Sequence, residues 1–559
     1  MSSGENSVMK IAALGRPFQL GMLYDSRKDS LIPAMSLWDL ESLKQDIATQ
    51  SQRNSEFHII ASDSLEDKSS ALNVEASLKA SFLGGLVEVE GSAKYLKDNK
   101  TSKRQARVTL QYKMTTQFTQ LTMNHLGRGN VKHPYVFEQG IATHVVTGIL
   151  YGAQAFFLFD QETSHEESMQ DIQGNLQVMI RKIPNIIKGE GSLKMTGAEQ
   201  ANIQKFTCQF YGDVALDSNP VSYEEAIKVY ASLPQKIGPN GEHAIPMRVW
   251  LYPLILLDSK AAQIVHHISV GLVNQSQSIL DEFSEIEMRC NDLMKDAAAI
   301  QFPDVQNKIR YFKKKCLEYK MIFQRNLTEI LPAIRGGGKQ ETVLADLLKF
   351  KKESPFSYFR LSSWLDDKDK ELSCLTGYMQ KLKDIKMTSS EAELNREVLN
   401  QTSKYVVCFT FTSLKNKESY ISTLKEFLSQ PLMESGPHSV SSEILTNQEE
   451  KPWFSMHSVA EKMIQKAKLF SEVAAANKNN PDTAFIVASS ENGSYPGASV
   501  YLYEQGIKKN ENLQLPSIPG VPVVCEVTHE SVTLKMSHPE AGCESVVHYR
   551  IEYTIDRTR

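Results

Sequence analysis

Residues 71–96, ALNVEASLKASFLGGLVEVEGSAKYL, alternate apolar and polar side chains almost without a break. Alternation at period two is the pattern of a strand with one apolar face, because successive side chains of an extended chain point to opposite sides. The first arm puts Leu72, Val74, Ala76, Leu78, Ala80 and Phe82 on one face and Asn73, Glu75, Ser77, Lys79 and Ser81 on the other. After Leu83-Gly84-Gly85-Leu86 the phase inverts. Val87, Val89, Ala93 and Tyr95 are then apolar, and Glu88, Glu90, Ser92 and Lys94 polar. Two strands joined by a Gly-Gly turn account for the inversion. Each arm is about ten residues long, and a strand that crosses a bilayer at a tilt needs ~9–11. Yet the composition, rich in Ala, Leu, Glu and Lys, favours a helix. A half-buried strand of a soluble sheet and an amphipathic helix are the simpler readings. A segment that is helical in one state and extended in another would carry both instructions, and such conflicts cluster at functional sites.

A second segment, GNLQVMIRKIPNIIKGEGSLKMTG (174–197), repeats the pattern less regularly. Leu176, Val178 and Ile180 alternate with Gln177 and Arg181, Pro184-Asn185 interrupts, and Leu193 and Met195 alternate with Ser192, Lys194 and Thr196. Met179 and Ile186-Ile187 break the phase. Alternating strands flank both segments, with Val108, Leu110, Tyr112 and Met114 before the second and Phe206, Cys208 and Phe210 after it.

The chain of 559 residues is long for one domain. Its 62 basic and 66 acidic residues give a net charge of −4, which supplies no electrostatic case for nucleic acid. No window reaches the ~20 apolar residues of a membrane helix, and the N-terminus lacks the pattern of a signal peptide. The seven cysteines show no paired spacing and read as reduced thiols. IRGGGKQET is not a phosphate loop, since Ala333 and Gln340 occupy positions that need Gly and Ser or Thr. HEESM and HESVT lack the second His of a zinc helix, having Met169 and Thr533 there. His266-His267 reads as a helical pair with one residue exposed and one packed. No enzyme and no cofactor are expected.

Residues 1 to about 258 are strand-rich and close on MRVWLYPLILLD. From Ala261 to about Leu382 the apolar spacing is helical, as in Ile309, Phe312, Cys316, Tyr319 and Phe323. KYVVCFTFTS then reads as a strand buried on both faces within an α/β unit, with Cys408 lacking the partner of a Cys-x-x-Cys pair. LPSIPGVPVVCEV, SVTLKMS and VVHYRIEYT read as three short strands, the opening of a fibronectin type III-like sandwich that the chain would leave incomplete.

Two blocks, ALGRPFQLGMLYDSRKDSLIPAMSLWD (Ala13–Asp39) and GIATHVVTGILYGAQAFFLFD (Gly140–Asp160), resemble the stonustoxin and neoverrucotoxin family, pore-forming fish venom proteins and their non-venom relatives. The resemblance implies a multidomain α+β chain. A perforin-like (MACPF/CDC) bent-sheet domain would span 1–260 and a focal-adhesion-targeting-like helical bundle 261–385. A thioredoxin-like domain without redox cysteines would span 386–515, and the partial fibronectin type III-like domain read at 516–559 departs from the venom subunits. Gly140, Thr143 and His144 sit where the superfamily has its Gly-Thr-His element, with Gly152 standing for the downstream Gly-Gly as a hinge. In such proteins two helical clusters on the sheet unfurl into transmembrane hairpins. Residues 72–96 and roughly 174–197 would be those clusters here, with Glu75, Lys79, Glu88, Glu90 and Lys94 facing the lumen. The resemblance implies a cytolysin; with no signal peptide read at the N-terminus, it is expected to be soluble, cytoplasmic or released, and membrane-associated on assembly. Its partners would be lipid and a second copy or related subunit, with protein partners through the bundle and C-terminal domain. The alternative is an intracellular immune or interaction scaffold that keeps the fold without making pores.

Overall fold

The computed structural model describes residues 7–45, 47–127, 129–164, 167–187, 197–400, 403–430, 451–546, 549 and 551. They divide into two compact units, one within 1–289 and 316–358, the other within 290–315 and 359–559.

In the first unit, β1 (Met9–Ala12), β2 (Met22–Asp25), β3 (Ser30–Ser36), α1 (Leu40–Lys44) and β4 (Ile47–Ile60) lead to α2 (Leu65–Ala71), α3 (Ala76–Leu83) and a 3₁₀ helix, Gly91–Lys97. Then come β5 (Gln105–Leu121), α4 (Met123–Leu126), α5 (Tyr135–Glu138), β6 (His144–Glu162), α6 (Met169–Ile187), α7 (Gly197–Ile203), β7 (Thr207–Gly212), α8 (Tyr223–Ile237) and β8 (Ile245–Pro253). The eight strands form one sheet, in which β6 is the axis. It pairs with β5 and β2 along one side and with β7 and β8 along the other, and β4 lies outside β5. Phe156, Phe157, Leu158 and Phe159 are all fully buried, as a strand covered on both faces requires. Their alternation splits the core in two. Phe156 and Leu158 pack with Val87, Val89 and Tyr95, whereas Phe157 and Phe159 pack with Leu176, Ile180 and Tyr223.

Three ladders lose register at one level of the sheet: β4–β5 between Ser51 and Asn54, β5–β6 between Thr115 and Gln117, and β6–β8 between Leu150 and Tyr151. Such irregularities bend a sheet and increase its twist. Gly152 sits on that line, opposite Thr115 and Ile245. A Cβ there would stand 2.1 Å from the Met114 carbonyl oxygen and 2.3 Å from Met247 Sδ, so no side chain fits.

The helices continue with α9 (Val270–Met294), α10 (Ala297–Gln301), α11 (Pro303–Arg335), α12 (Thr342–Glu353) and α13 (Tyr358–Lys381). Within the first unit, Tyr319 of α11 lies 5.8 Å from Phe283 of α9 and stacks on Phe356 at 4.3 Å. The expected helix from Ala261 starts only at Val270, and His266-His267 therefore lies outside any helix. The Val265 N–H is taken by the Arg335 carbonyl at 2.8 Å, and the Ser269 carbonyl receives the first bonds of α9, from Leu272 and Val273.

In the second unit, Phe312 stacks on Trp364 at 4.1 Å. After β9 (Lys386–Met387), α14 (Glu391–Val398), β10 (Tyr405–Phe411), α15 (Ser419–Ser429), α16 (His457–Ala476), β11 (Thr483–Ser489), β12 (Ala498–Glu504) and β13 (Ile507–Asn510), the sheet order is β13-β12-β10-β11-β9. Cys408 lies in the buried central strand, and burial pushes its thiol up to about 12, so it is protonated and inert at neutral pH. β14 (Val523–Val527) and β15 (Val532–Lys535) form an exposed hairpin. The third expected strand, in VVHYRIEYT, falls largely outside the described residues.

Gly152→Ala should lower stability by at least ~1–3 kcal/mol, because the obstructing carbonyl is backbone that cannot rotate aside. Thermal melting of the variant beside the native protein checks this; an unchanged melting temperature would mean that the strand crossing is looser than its geometry.

Candidate functional site

Two long excursions leave the sheet at one end. Ile60 pairs with Thr109, Gln105 with Glu162, and Asp160 with Thr207, so the β4-to-β5 and β6-to-β7 connections start side by side. These connections, residues 61–104 and 163–206, are of equal length and contain the two segments singled out by their alternation.

Neither arm of the first segment is a strand in this fold. Leu72 caps the end of α2, Ala76–Leu83 is α3, and Gly91–Lys97 is the 3₁₀ helix. A period-two sequence wound at 3.6 residues per turn has no apolar stripe. Accordingly α3 is covered on every side, with Leu78, Lys79, Ala80, Ser81 and Leu83 all buried. The apolar set faces the sheet: Leu72, Leu78, Val87, Val89, Ala93 and Tyr95 join Ile149, Phe156, Leu158, Val249 and Leu251, with Val74 and Phe82 partly buried beside them. Tyr95 stacks on Phe156 at 4.3 Å. Ala76 is half-buried and Ala80 buried.

The polar side of α3 meets α11. Arg335, 2 % exposed, donates to Asp29 Oδ2 at 3.0 Å, Ser81 Oγ at 2.7 Å, and the Ser77 carbonyl at 2.7 Å. Asp29 also accepts from Ser81 Oγ and, at 2.6 Å, from the Tyr24 hydroxyl, which burial pushes far above its ordinary range. Asp29 has φ +51°, a left-handed conformation that non-glycine residues seldom adopt. Lys79 pairs with Glu66 at 2.5 Å. At the turn, the Gly84 carbonyl accepts from Thr328 Oγ1 and the Leu83 carbonyl from Gln324 Nε2 at 3.2 Å, while Leu331 and Leu327 close on Gly84. Gly85, at φ +74°, is open to solvent.

A second polar knot holds the root. Arg107 of β5 grips Asp160 of β6 through two bonds, at 2.6 and 2.8 Å, and reaches Asp98 and Asp63 from the two ends of the excursion. Lys68 binds Asp63 at 2.9 Å and the Asp98 carbonyl at 2.6 Å, and Tyr211 donates to Asp98 at 3.0 Å. Sequence reasoning missed both knots. Neither Arg335 nor Arg107 belongs to a motif, and only the fold brings Asp29 and Asp160 to them.

As far as Ile187, the second segment lies in an amphipathic helix, α6. Leu176, Met179, Ile180 and Ile183 are buried against the sheet and α8, whereas Val178 is 54 % exposed. Met179, which broke the strand phase, thus completes a helical stripe. Pro184 does not interrupt: it lies inside α6, where it removes one backbone donor in the closing turn. Leu193 and Met195 lie outside the described residues.

The four signature residues line the turn region of β2 and β6 and the sheet bend. The Gly140 carbonyl, at φ +64°, accepts from Arg27 at 2.7 Å. Buried Thr143 bonds Ser26 and, at 2.8 Å, His144 Nδ1. Burial pushes His144 down to about 4, against the opposing pull of Asp25 and Asp29. Gly152 lies further along β6, at the bend. Among the described residues no three His, Cys, Asp or Glu side chains are placed to hold a metal, and no helix is long and apolar enough to cross a membrane.

Residues 8–238 match the family model described as the SNTX, MACPF/CDC-like domain, residues 278–373 the stonustoxin helical domain, and residues 384–515 the thioredoxin-like SNTX domain. Neoverrucotoxin subunit alpha of Synanceia verrucosa is 39% identical over 519 residues, covering 92% of this chain and 73% of the relative. Stonustoxin subunit beta of Synanceia horrida is 38% identical over 555 residues, covering 96% and 78%. Cytolytic toxin-alpha of Scorpaena plumieri is 36% identical over 542 residues, covering 95% and 75%. The solved stonustoxin structure matches with a TM-score of 0.72 at 34% identity, over 92% of this chain and 71% of that one.

Arg335→Ala leaves Asp29 buried and unpaired, a change worth ~3–5 kcal/mol locally. Hydrogen exchange at residues 76–85 should quicken by at least tenfold while β6 stays protected; equal protection in both proteins would show that Arg335 does not hold the segment. A second expectation concerns pH. His144 stays neutral in the fold down to about 4, whereas the unfolded chain takes up its proton near the ordinary value of 6.5. Stability should therefore fall by up to ~3 kcal/mol as pH drops through that window. His144→Gln should flatten this part of the pH–melting curve; an unaltered slope would assign the acid sensitivity to other groups.

Proposed function

The chain belongs to the stonustoxin family, and we propose that it acts as a pore-forming cytolysin that binds membranes, assembles with further copies or a related subunit, and inserts two β-hairpins per subunit. The observation that carries this reading is topological. Each excursion lies between two strands that are already antiparallel neighbours, so straightening it lengthens a ladder without breaking one. Both ladders then grow from the same end of the sheet, one beside the other.

The physics requires assembly before insertion. A lone hairpin in lipid presents unpaired backbone groups along its edges, and only a closed barrel satisfies them. In the soluble fold the side chains assigned to lipid, Leu72, Leu78, Val87, Val89, Ala93 and Tyr95, lie against the sheet. Those assigned to the lumen are either exposed, as Glu75, Glu88, Glu90 and Lys94 are, or held by polar groups, as Ser77, Lys79 and Ser81 are. Arg335, Thr328 and Gln324 are assigned the part of a catch on the first hairpin, and Gly140, Thr143, His144 and Gly152 that of a hinge on which the sheet opens.

The domain limits follow the same reading: a pore-forming domain to residue 260, a helical domain to 385, a thioredoxin-like domain to 515, and a fibronectin-like start beyond. Localisation at a membrane is assigned to the assembled form. Purified protein should release dye from vesicles of at least one of three compositions: anionic, zwitterionic or sterol-containing. A cysteine pair tying residues 72–96 to the underlying sheet should abolish release until reductant is added. Sealed vesicles in all three cases would favour the scaffold reading, and leakage indifferent to the lock would move insertion to another segment.

A further inference from the structure

The inserted form of the first hairpin can be derived in register from the soluble one. Between Asn54–Thr115 and Ile60–Thr109 the β4–β5 ladder keeps one constant offset. Carried onward at that offset, one residue at a time along each arm, it brings Val74 opposite Tyr95, Ala76 opposite Ala93, Ala80 opposite Val89 and Phe82 opposite Val87. It closes on Gly84 and Gly85 as the two central residues of the turn, where a two-residue hairpin loop favours glycines. On the other face the same offset sets Glu75 opposite Lys94, Ser77 opposite Ser92, and Lys79 opposite Glu90. A slip of one residue on either arm would put apolar side chains opposite polar ones throughout.

Resting on the pore-forming reading, we propose that the β4–β5 ladder continues through the inserted hairpin without a register shift, and that Glu75–Lys94 and Lys79–Glu90 are the cross-strand pairs that position its arms. Neither pair is made in the soluble fold. Lys79 binds Glu66 there, and Glu75, Glu90 and Lys94 are exposed. Opposite charges on directly facing residues stabilise an antiparallel pair, and like charges oppose it. The two cross-strand pairs thus belong to a conformation this fold does not adopt, although within it Lys79 is held by Glu66 and Glu75 lies near Arg248 and Lys10. The polar stretch nearer the root, from Ser64 to Ala71, would extend the barrel wall in water, so the ~9–11 residues of each membrane crossing are those nearest the turn.

The test is a charge swap at the exposed pair. Lys94→Glu should leave the melting temperature of the soluble protein unchanged, and Glu75→Lys, at the start of α3 beside Arg248 and Lys10, should lower it only slightly. Each should slow dye release roughly fivefold, the effect of about 1 kcal/mol at one facing pair. Glu75→Lys combined with Lys94→Glu should restore the native rate. Native protein that leaks, with a double variant as slow as the singles or slower, overturns the register alone. Native protein that leaks from no vesicle overturns the pore reading and the register with it. A disulfide that forms in vesicle-bound protein between Ala76→Cys and Ala93→Cys, and fails between Ala76→Cys and Lys94→Cys, supports the register directly. The reverse pattern contradicts it.

Discussion

A sequence that alternates every second residue cannot bury one side of a helix and expose the other. When residues 76–83 wind into α3, apolar and polar side chains are spread around the whole circumference, and the helix is stable only if something covers it everywhere. The sheet covers the apolar part through Phe156, Leu158 and Val249, and α11 covers the polar part through Arg335, Thr328 and Gln324. The soluble fold of this segment therefore depends on the helical domain. Such a helix is a poor independent unit, because most helix stability comes from packing, so loss of either neighbour leaves it nothing to remain helical for.

The polar contacts suit a reversible role. Buried ion pairs add little net stability, since desolvation offsets attraction, but removing one partner is costly. Arg335 with Asp29, and Arg107 with Asp160, Asp98 and Asp63, thus hold the segment in one place without making that place much lower in energy than the alternatives. Arg107 and Asp160 lie on β5 and β6 themselves, so the proposed straightening of the segment would leave their mutual bond intact while separating Asp63 and Asp98. The aligned irregularities at Ser51–Asn54, Thr115–Gln117 and Leu150–Tyr151 give the sheet a bend that a side chain at Gly152 would obstruct.

Much of this was legible in the residues. The alternation of 72–96 marked the segment, the helical spacing after α9 begins marked the bundle, and KYVVCFTFTS marked the central strand of the thioredoxin-like sheet. What failed did so where tertiary contacts override local pattern. The stretch 261–269 has helical apolar spacing but spends Val265's donor on α11, and Pro184 reads as a break although a helix tolerates it in the closing turn. The contact between Arg335 and Asp29 was invisible because the two are far apart in the chain and neither belongs to a motif. The register of the hairpin lay between the two levels: the residues carry it, but only the β4–β5 pairing says where to start counting.

In the proposed transition residues 72–96 exchange helices packed against the sheet and α11 for two strands in lipid. A spin-label scan along 72–82 and 87–95 of the vesicle-bound, assembled protein, reading exposure to lipid-soluble and water-soluble quenchers, tests it most directly. Lipid contact is expected at every second residue, with the phase inverting across Gly84 and Gly85. A repeat near 3.6 residues, or a profile unchanged from the soluble protein, would contradict it.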